Sequence, residues 1–182
     1  MPAGLAAAAA LGLTILLLQL RRVFGTAPRL SSATTPLAQG SLTVVVPAYN
    51  EAANIAPCLS SVLASAPPCS SWSVLLVDDG SSDATVAEAT KAVAAAQVPP
   101  ERFALLSAGP RPAGERWVGK NWPCTQAIEQ VVRSTWVLFI DADVRLQPQT
   151  LVRALAQAER EQADLLSLAP RLQCGCLAEW MV

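Results

Sequence analysis

Histidine is absent from all 182 residues. That absence excludes Ser-His-Asp and Cys-His catalysis and His-ligated zinc. Any chemistry is left to carboxylates, Lys/Arg, backbone amides or an oxygen-held metal. Charge is sparse too: 13 Lys and Arg stand against 14 Asp and Glu, with no basic run. A net charge of −1 supplies no field for nucleic-acid phosphates, so nucleic acid is excluded as a partner. Five cysteines (Cys58, Cys69, Cys124, Cys174, Cys176) include no C-x-x-C pair. They read as reduced thiols, with Cys58 and Cys124 as small apolar core residues.

Charge is missing altogether from residues 2–20, which are rich in Ala and Leu and are followed at once by Arg21-Arg22. At about 1.5 Å per residue such a run can cross a hydrocarbon core of about 30 Å. The arginines follow the run instead of preceding it, as a cleaved signal peptide would require. The expectation is a membrane anchor over 1–24, with the bulk of the chain on the cytoplasmic side by the positive-inside rule. Residues 25–40, rich in Gly, Pro, Ser and Thr, read as a linker. Setting residues 1–40 aside leaves enough chain for one domain, 41–182, of the size that buries its own core.

Within that domain apolar strand runs alternate with helical spacing. Strands are expected at 42–46, 73–77, 103–107, 136–140 and 164–168. Helices are expected around 55–63 and over 83–97, 121–133 and 149–161. Val86 and Val93 are expected on the apolar face of the second of these helices, and Ile128, Val131 and Val132 on that of the third. The alternation implies an α/β fold with a mostly parallel buried sheet, in which ligands bind beyond the carboxyl ends of the strands.

Three loops at such ends hold the polar chemistry. Pro47-Ala48-Tyr49-Asn50-Glu51 leaves the first strand with the only tyrosine of the chain. Asp78-Asp79-Gly80-Ser81-Ser82-Asp83 leaves the second, offering carboxylates to a base or to sugar hydroxyls, with Ser82 or Asp83 as a helix cap. Asp141-Ala142-Asp143 leaves the fourth, and hard carboxylate oxygens suit Mg²⁺ or Mn²⁺ with phosphate as a further ligand. Each motif alone is ordinary turn chemistry. Three of them at three strand ends are harder to dismiss.

VVVPAYNEAANI, VLLVDDGSSDAT and VLFIDADV, in that order and spacing, resemble the family 2 glycosyltransferases of the GT-A fold. The resemblance implies a nucleotide-diphosphate sugar donor, with a UDP-sugar expected, and transfer with inversion. It implies that Pro47, Tyr49 and Glu51 surround the nucleotide, and that Asp79, with Asp78 beside it, meets a uracil-type base. It further implies that Asp143 ligates a metal bridging to the diphosphate while Asp141 faces ribose or metal. Lys120, in Gly119-Lys120-Asn121-Trp122, is a candidate cation near the donor phosphates. RWVGKNWPCTQA is similar to a segment of bacterial membrane-associated transferases that include hopanoid-associated and carotenoid glycosyltransferases, and a domain anchored at the membrane surface is expected to meet a lipid or lipid-linked acceptor there.

Members of this family usually carry, beyond the D-x-D half, an acidic motif that deprotonates the acceptor. No such motif surrounds Glu179, so the chain is expected to be the donor-binding portion, with the acceptor base beyond Val182. Three other readings compete. A haloacid-dehalogenase-like phosphatase would use Asp141 as nucleophile and Asp143 as acid, but that motif normally opens its domain. A P-loop at 114–121 would lack its Ser/Thr, because Asn121 stands there. A non-catalytic, membrane-anchored module that binds nucleotide sugars is the third.

Overall fold

The structure is a computed structural model that describes residues 2–26, 29–30, 32, 35–37 and 39–169. Cys174, Cys176 and Glu179 therefore lie outside the described residues. The chain divides into two compact units, Met1–Ser31 and Ser32–Val182.

The described part of the first unit holds one helix, α1 (Pro2–Thr26), as its alanine and leucine content favours. Leu11, Leu13 and Leu18 are exposed. The expected membrane span over 1–24 is not found: among the described residues, no helix is long and apolar enough to cross a membrane.

The second unit is built on a four-stranded parallel sheet in the order β3-β2-β1-β4. Its strands are β1 (Ser41–Ala48), β2 (Ser71–Asp78), β3 (Phe103–Ser107) and β4 (Trp136–Phe139). The helices are α2 (Ile55–Leu63), α3 (Thr85–Ala96), α4 (Asn121–Gln130) and α5 (Thr150–Arg160). Side-chain alternation along β1 sorts the core into two layers. Leu42, Val44, Val46 and Ala48 pack with Ile55, Leu59 and Val62 of α2, Ala89 and Ala92 of α3, and Leu151 and Leu155 of α5. Val45 of β1, with Leu75 and Val77, packs against Trp122 and Ala127 of α4 and against Val131. The expected linker is not wholly separate from this core. Leu37 packs against the first layer, and its N–H donates to the Pro68 carbonyl at 2.9 Å.

Two expectations fail locally. Residues 164–168 form no strand, and Leu165 is 86% exposed. The segment runs past β4 and α5 without pairing, because a short apolar run becomes a strand only where an edge accepts its backbone. The face of α4 is also shifted. Ile128 and Val132 are exposed while Trp122 and Ala127 are buried, since the helix stops at Gln130 and periodicity alone does not fix rotation. On α3 the buried residues are Thr85, Ala89 and Ala92, and Val93, partly buried, packs against the same core, as expected of that face.

Candidate functional site

The carboxyl ends of β1, β2 and β3 open onto one cleft of about 670 Å³, lined by Tyr49, Asp79, Gly80, Ser107, Gly109, Pro110 and Arg111. Its geometry follows from the strand ends. β1 and β2 stay in register to Ala48↔Asp78, and β2 and β3 to Asp78↔Ser107. The ladder then closes with two further bonds of 2.9 Å, Asp79 N–H to the Ala48 carbonyl and Ala108 N–H to the Asp78 carbonyl. Pro47 is tolerated inside a central strand because the β1–β4 pairing has ended at Val45↔Phe139 and no donor is missed there.

Beyond the strands, the first two loops are sewn to each other. Asn50 takes a left-handed backbone (φ 55°), which an asparagine accepts more readily than most residues. Its side-chain oxygen accepts from Ser82 N–H at 2.8 Å, and its own N–H donates to the Ser81 hydroxyl at 2.9 Å. Glu51 N–H donates to the Thr85 hydroxyl at 2.7 Å, and Ala52 N–H to the Asp83 carboxylate at 3.1 Å. Asp83 also accepts from Thr85 N–H at 2.9 Å, so it satisfies the first N–H of α3 from the position before the N-cap residue, Ala84. The Thr85 hydroxyl holds the Asp83 carboxyl below its ordinary range.

This network separates the residues singled out in the sequence. Tyr49, 60% exposed, and Asp79 face the cleft. Glu51 accepts from the Asn54 amide at 2.9 Å, and Asp78 accepts from Ser81 N–H at 3.3 Å. Together with Pro47 they shape the loops and do not line the cleft. Asp79 is met by a residue that sequence reasoning passed over. Arg111 pairs with its carboxylate at 2.6 Å, where the Asp79 side chain is only 10% exposed. The signal was present, since the loop after the third strand also leaves a carboxyl end and carries Gly109-Pro110-Arg111.

Arg111 does more than pair. Its guanidinium reaches the Gly119 carbonyl at 3.2 Å and the Trp117 carbonyl at 3.4 Å. Trp117 meets Trp122 edge to face at 5.1 Å, and the Trp122 indole N–H donates to the Ala108 carbonyl at 3.0 Å. The loop from Gly109 to Lys120 is thus drawn into one strap. At its far end Lys120 pairs with Asp141. Asp143 is exposed and accepts no hydrogen bond or ion pair among the described residues. Beneath Asp141 lies Cys58, fully buried, its thiol 3.7 Å from the Asp141 carbonyl. Burial pushes that thiol up to about 11.

Among the described residues no group of three or more His, Cys, Asp or Glu gathers as a complete metal cage. Two accessible carboxylates two positions apart are a partial donor set. They fit a Mg²⁺ or Mn²⁺ ion that takes its remaining ligands from phosphate and water.

Comparison with known proteins gives this arrangement a context. The sequence profile described as Glycosyl transferase family 2 matches residues 43–181. Dodecaprenyl-phosphate galacturonate synthase of Rhizobium johnstonii is 28% identical over 135 residues, covering 72% of this chain and 36% of the relative. A 4,4'-diaponeurosporenoate glycosyltransferase of Staphylococcus aureus is 27% identical over 150 residues, covering 81% and 36%. The chain therefore spans little more than a third of these relatives. Among solved structures, the mannosyltransferase PcManGT from Pyrobaculum calidifontis, in complex with GDP-Man and Mn²⁺, superposes with a TM-score of 0.54 at 24% identity. The match covers 84% of this chain and 41% of that one. S. aureus TarS in complex with UDP gives 0.51 at 24% identity, covering 67% and 33%. These likenesses show the fold. The profile spans all three loops, which removes the dehalogenase-like phosphatase reading of Asp141.

Proposed function

The chain belongs to glycosyl transferase family 2, and on that premise we propose that it binds a UDP-sugar and serves as the donor-binding part of an inverting, metal-assisted transferase. The observation that carries this is the cleft at the ends of β1, β2 and β3, where Tyr49, Asp79 and Arg111 converge. An aromatic ring offers a stacking face, and a carboxylate accepts from a ring N–H of a base. Arg111, with several donors in a fixed fork, serves a base carbonyl or a phosphate while its carbonyl contacts keep it at the cleft wall. Asp143 and Asp141 would hold Mg²⁺ or Mn²⁺, which when bound stabilises the charge growing on the departing diphosphate. Lys120 supplies a further cation from the start of α4.

For the acceptor, we infer a lipid-linked or lipid alcohol, met at a membrane surface on the cytoplasmic side where nucleotide sugars are made. The support is the names of the two curated relatives, a dodecaprenyl-phosphate galacturonate synthase and a 4,4'-diaponeurosporenoate glycosyltransferase. Calorimetric titration of the full chain with UDP and UDP-sugars, with and without Mn²⁺, tests the donor assignment. Binding of UDP that is lost in Asp79→Ala and strengthened by Mn²⁺ is expected. Affinity unchanged by Asp79→Ala would overturn it.

A further inference from the structure

We propose that Lys120 is a resident counter-ion of Asp141 that must let go before this carboxylate can take a divalent cation, so that the donor diphosphate prepares the metal site by drawing the ammonium away. The inference rests on the donor-binding reading above and deepens it.

Four observations carry it. Lys120 pairs with Asp141, while Asp143, two residues on, has no partner among the described residues. The two side chains of the pair are 57% and 54% exposed, so water stands ready to solvate either group and the pair is exchangeable. The position of the lysine is poor for its own helix. It stands at the N-terminal boundary of α4 with no side-chain cap, where the helix dipole disfavours positive charge. Its placement is also imposed from outside. Gly119 takes φ 51°, and its carbonyl is held by Arg111, the same guanidinium that pairs with Asp79 in the nucleotide cleft. Lysine here is thus set by the strap and answered by Asp141, not by any need of the helix.

The chemistry then orders itself. An ammonium and a divalent cation repel each other on one carboxylate, so each weakens the other's hold. A diphosphate carries more charge than Asp141 and offers several acceptor oxygens to a point-like, mobile ammonium. Once Lys120 turns to it, Asp141 joins Asp143 as an open oxygen donor. By linkage, nucleotide raises metal affinity and metal raises nucleotide affinity by the same factor, part of which passes through Lys120.

The test measures free Mn²⁺ by its spin-resonance signal over the full chain, with and without UDP. Without nucleotide, Lys120→Met and Lys120→Gln are expected to bind Mn²⁺ about two- to fivefold more tightly than wild type, the range an exposed ion pair supports. Lys120→Arg, which keeps the charge, is expected not to tighten it. The increase in Mn²⁺ affinity caused by UDP should shrink in the Met and Gln variants. Arg145→Gln removes a neighbouring charge that donates only to backbone carbonyls. An equal gain from that change would reduce the effect to general field and overturn the proposal. Mn²⁺ affinity unchanged by Lys120→Met, with normal UDP·Mn²⁺ binding by wild type, would overturn this inference alone. No uptake of Mn²⁺ by wild type with UDP would overturn both it and the metal-assisted reading.

Discussion

The two sides of the sheet's carboxyl edge use the same device, an acidic side chain answered by a basic one, in opposite settings. On the β2–β3 side Asp79 is nearly enclosed, while Arg111, itself 42% exposed, is fixed further by two backbone carbonyls. On the β4 side Lys120 and Asp141 are both more than half exposed, and Asp143 stands open. A sheltered charge-assisted bond resists competition from water, whereas an exposed one exchanges freely. The first arrangement suits a site that recognises one shape repeatedly. The second suits a site whose occupants change during a reaction.

The comparison breaks most visibly at Asp79. Asp79→Ala removes the acceptor proposed for the base and leaves Arg111 without its carboxylate. UDP affinity is expected to fall about tenfold to a hundredfold, from about 1.5–3 kcal/mol for a hydrogen bond to a charged group. Calorimetric titration with UDP alone checks this, and a change below twofold would place the recognition elsewhere. On the exposed side Asp143→Asn is expected to leave metal-free UDP binding unchanged and to abolish most of the gain from Mn²⁺. The same titration with and without metal reads the difference, and a retained Mn²⁺ effect would remove Asp143 from the metal site.

A smaller effect is expected where the loops are sewn together. Asp83 does not line the cleft but ties Ala52 and Thr85. Asp83→Ala should lower thermal stability while UDP affinity, measured well below the melting range, stays as in wild type. The sign of its pH dependence follows from its lowered carboxyl. The contribution is complete above the ordinary value of 3.8 and is lost as pH falls through the lower folded value. Thermal melts of wild type and variant should therefore converge in acid and separate above about pH 4. Constant separation down to the most acid melts would show that the carboxylate acts by packing and not by charge.

Most of this architecture was legible because its signals are local. The buried parallel strands β1 and β2 carry near-continuous Val and Leu, and turn residues mark their ends. Tyr49 and Asp79 could be placed at the edge because they follow such strands directly. Glu51 and Asp78 were grouped with them by the same adjacency, yet neither lines the cleft: the Asn54 amide donates to one Glu51 oxygen and Ser81 N–H to the Asp78 carboxylate. Sequence spacing reports where a side chain starts and not which neighbour claims it. Arg111 shows the converse, since its role depends on a strap that folds back across 32 positions to Asp79. The absent strand at 164–168 and the rotated face of α4 share a third cause. Each depends on a partner surface that no periodicity encodes.

The finest probe of the contrast is Cys58, which lies under the exposed side. The thiolate is the reactive form, and a pKa near 11 instead of the ordinary 9 leaves about a hundredfold less of it at neutral pH. The side chain is also 0% exposed, so a reagent must wait for α2 and the Asp141 loop to part. Alkylation followed peptide by peptide is expected to label Cys124, which is only partly buried, before Cys69 and Cys58. Raising the pH from 7 to 9 should speed each thiol, with Cys58 remaining the slowest of the three described cysteines. If the Asp141 side exchanges its partners while the Asp79 side stays closed, UDP with Mn²⁺ should slow Cys58 further and leave Cys69 as it was. Equal protection of both thiols would mean that ligand tightens the whole domain, and the two sides would then differ in exposure alone.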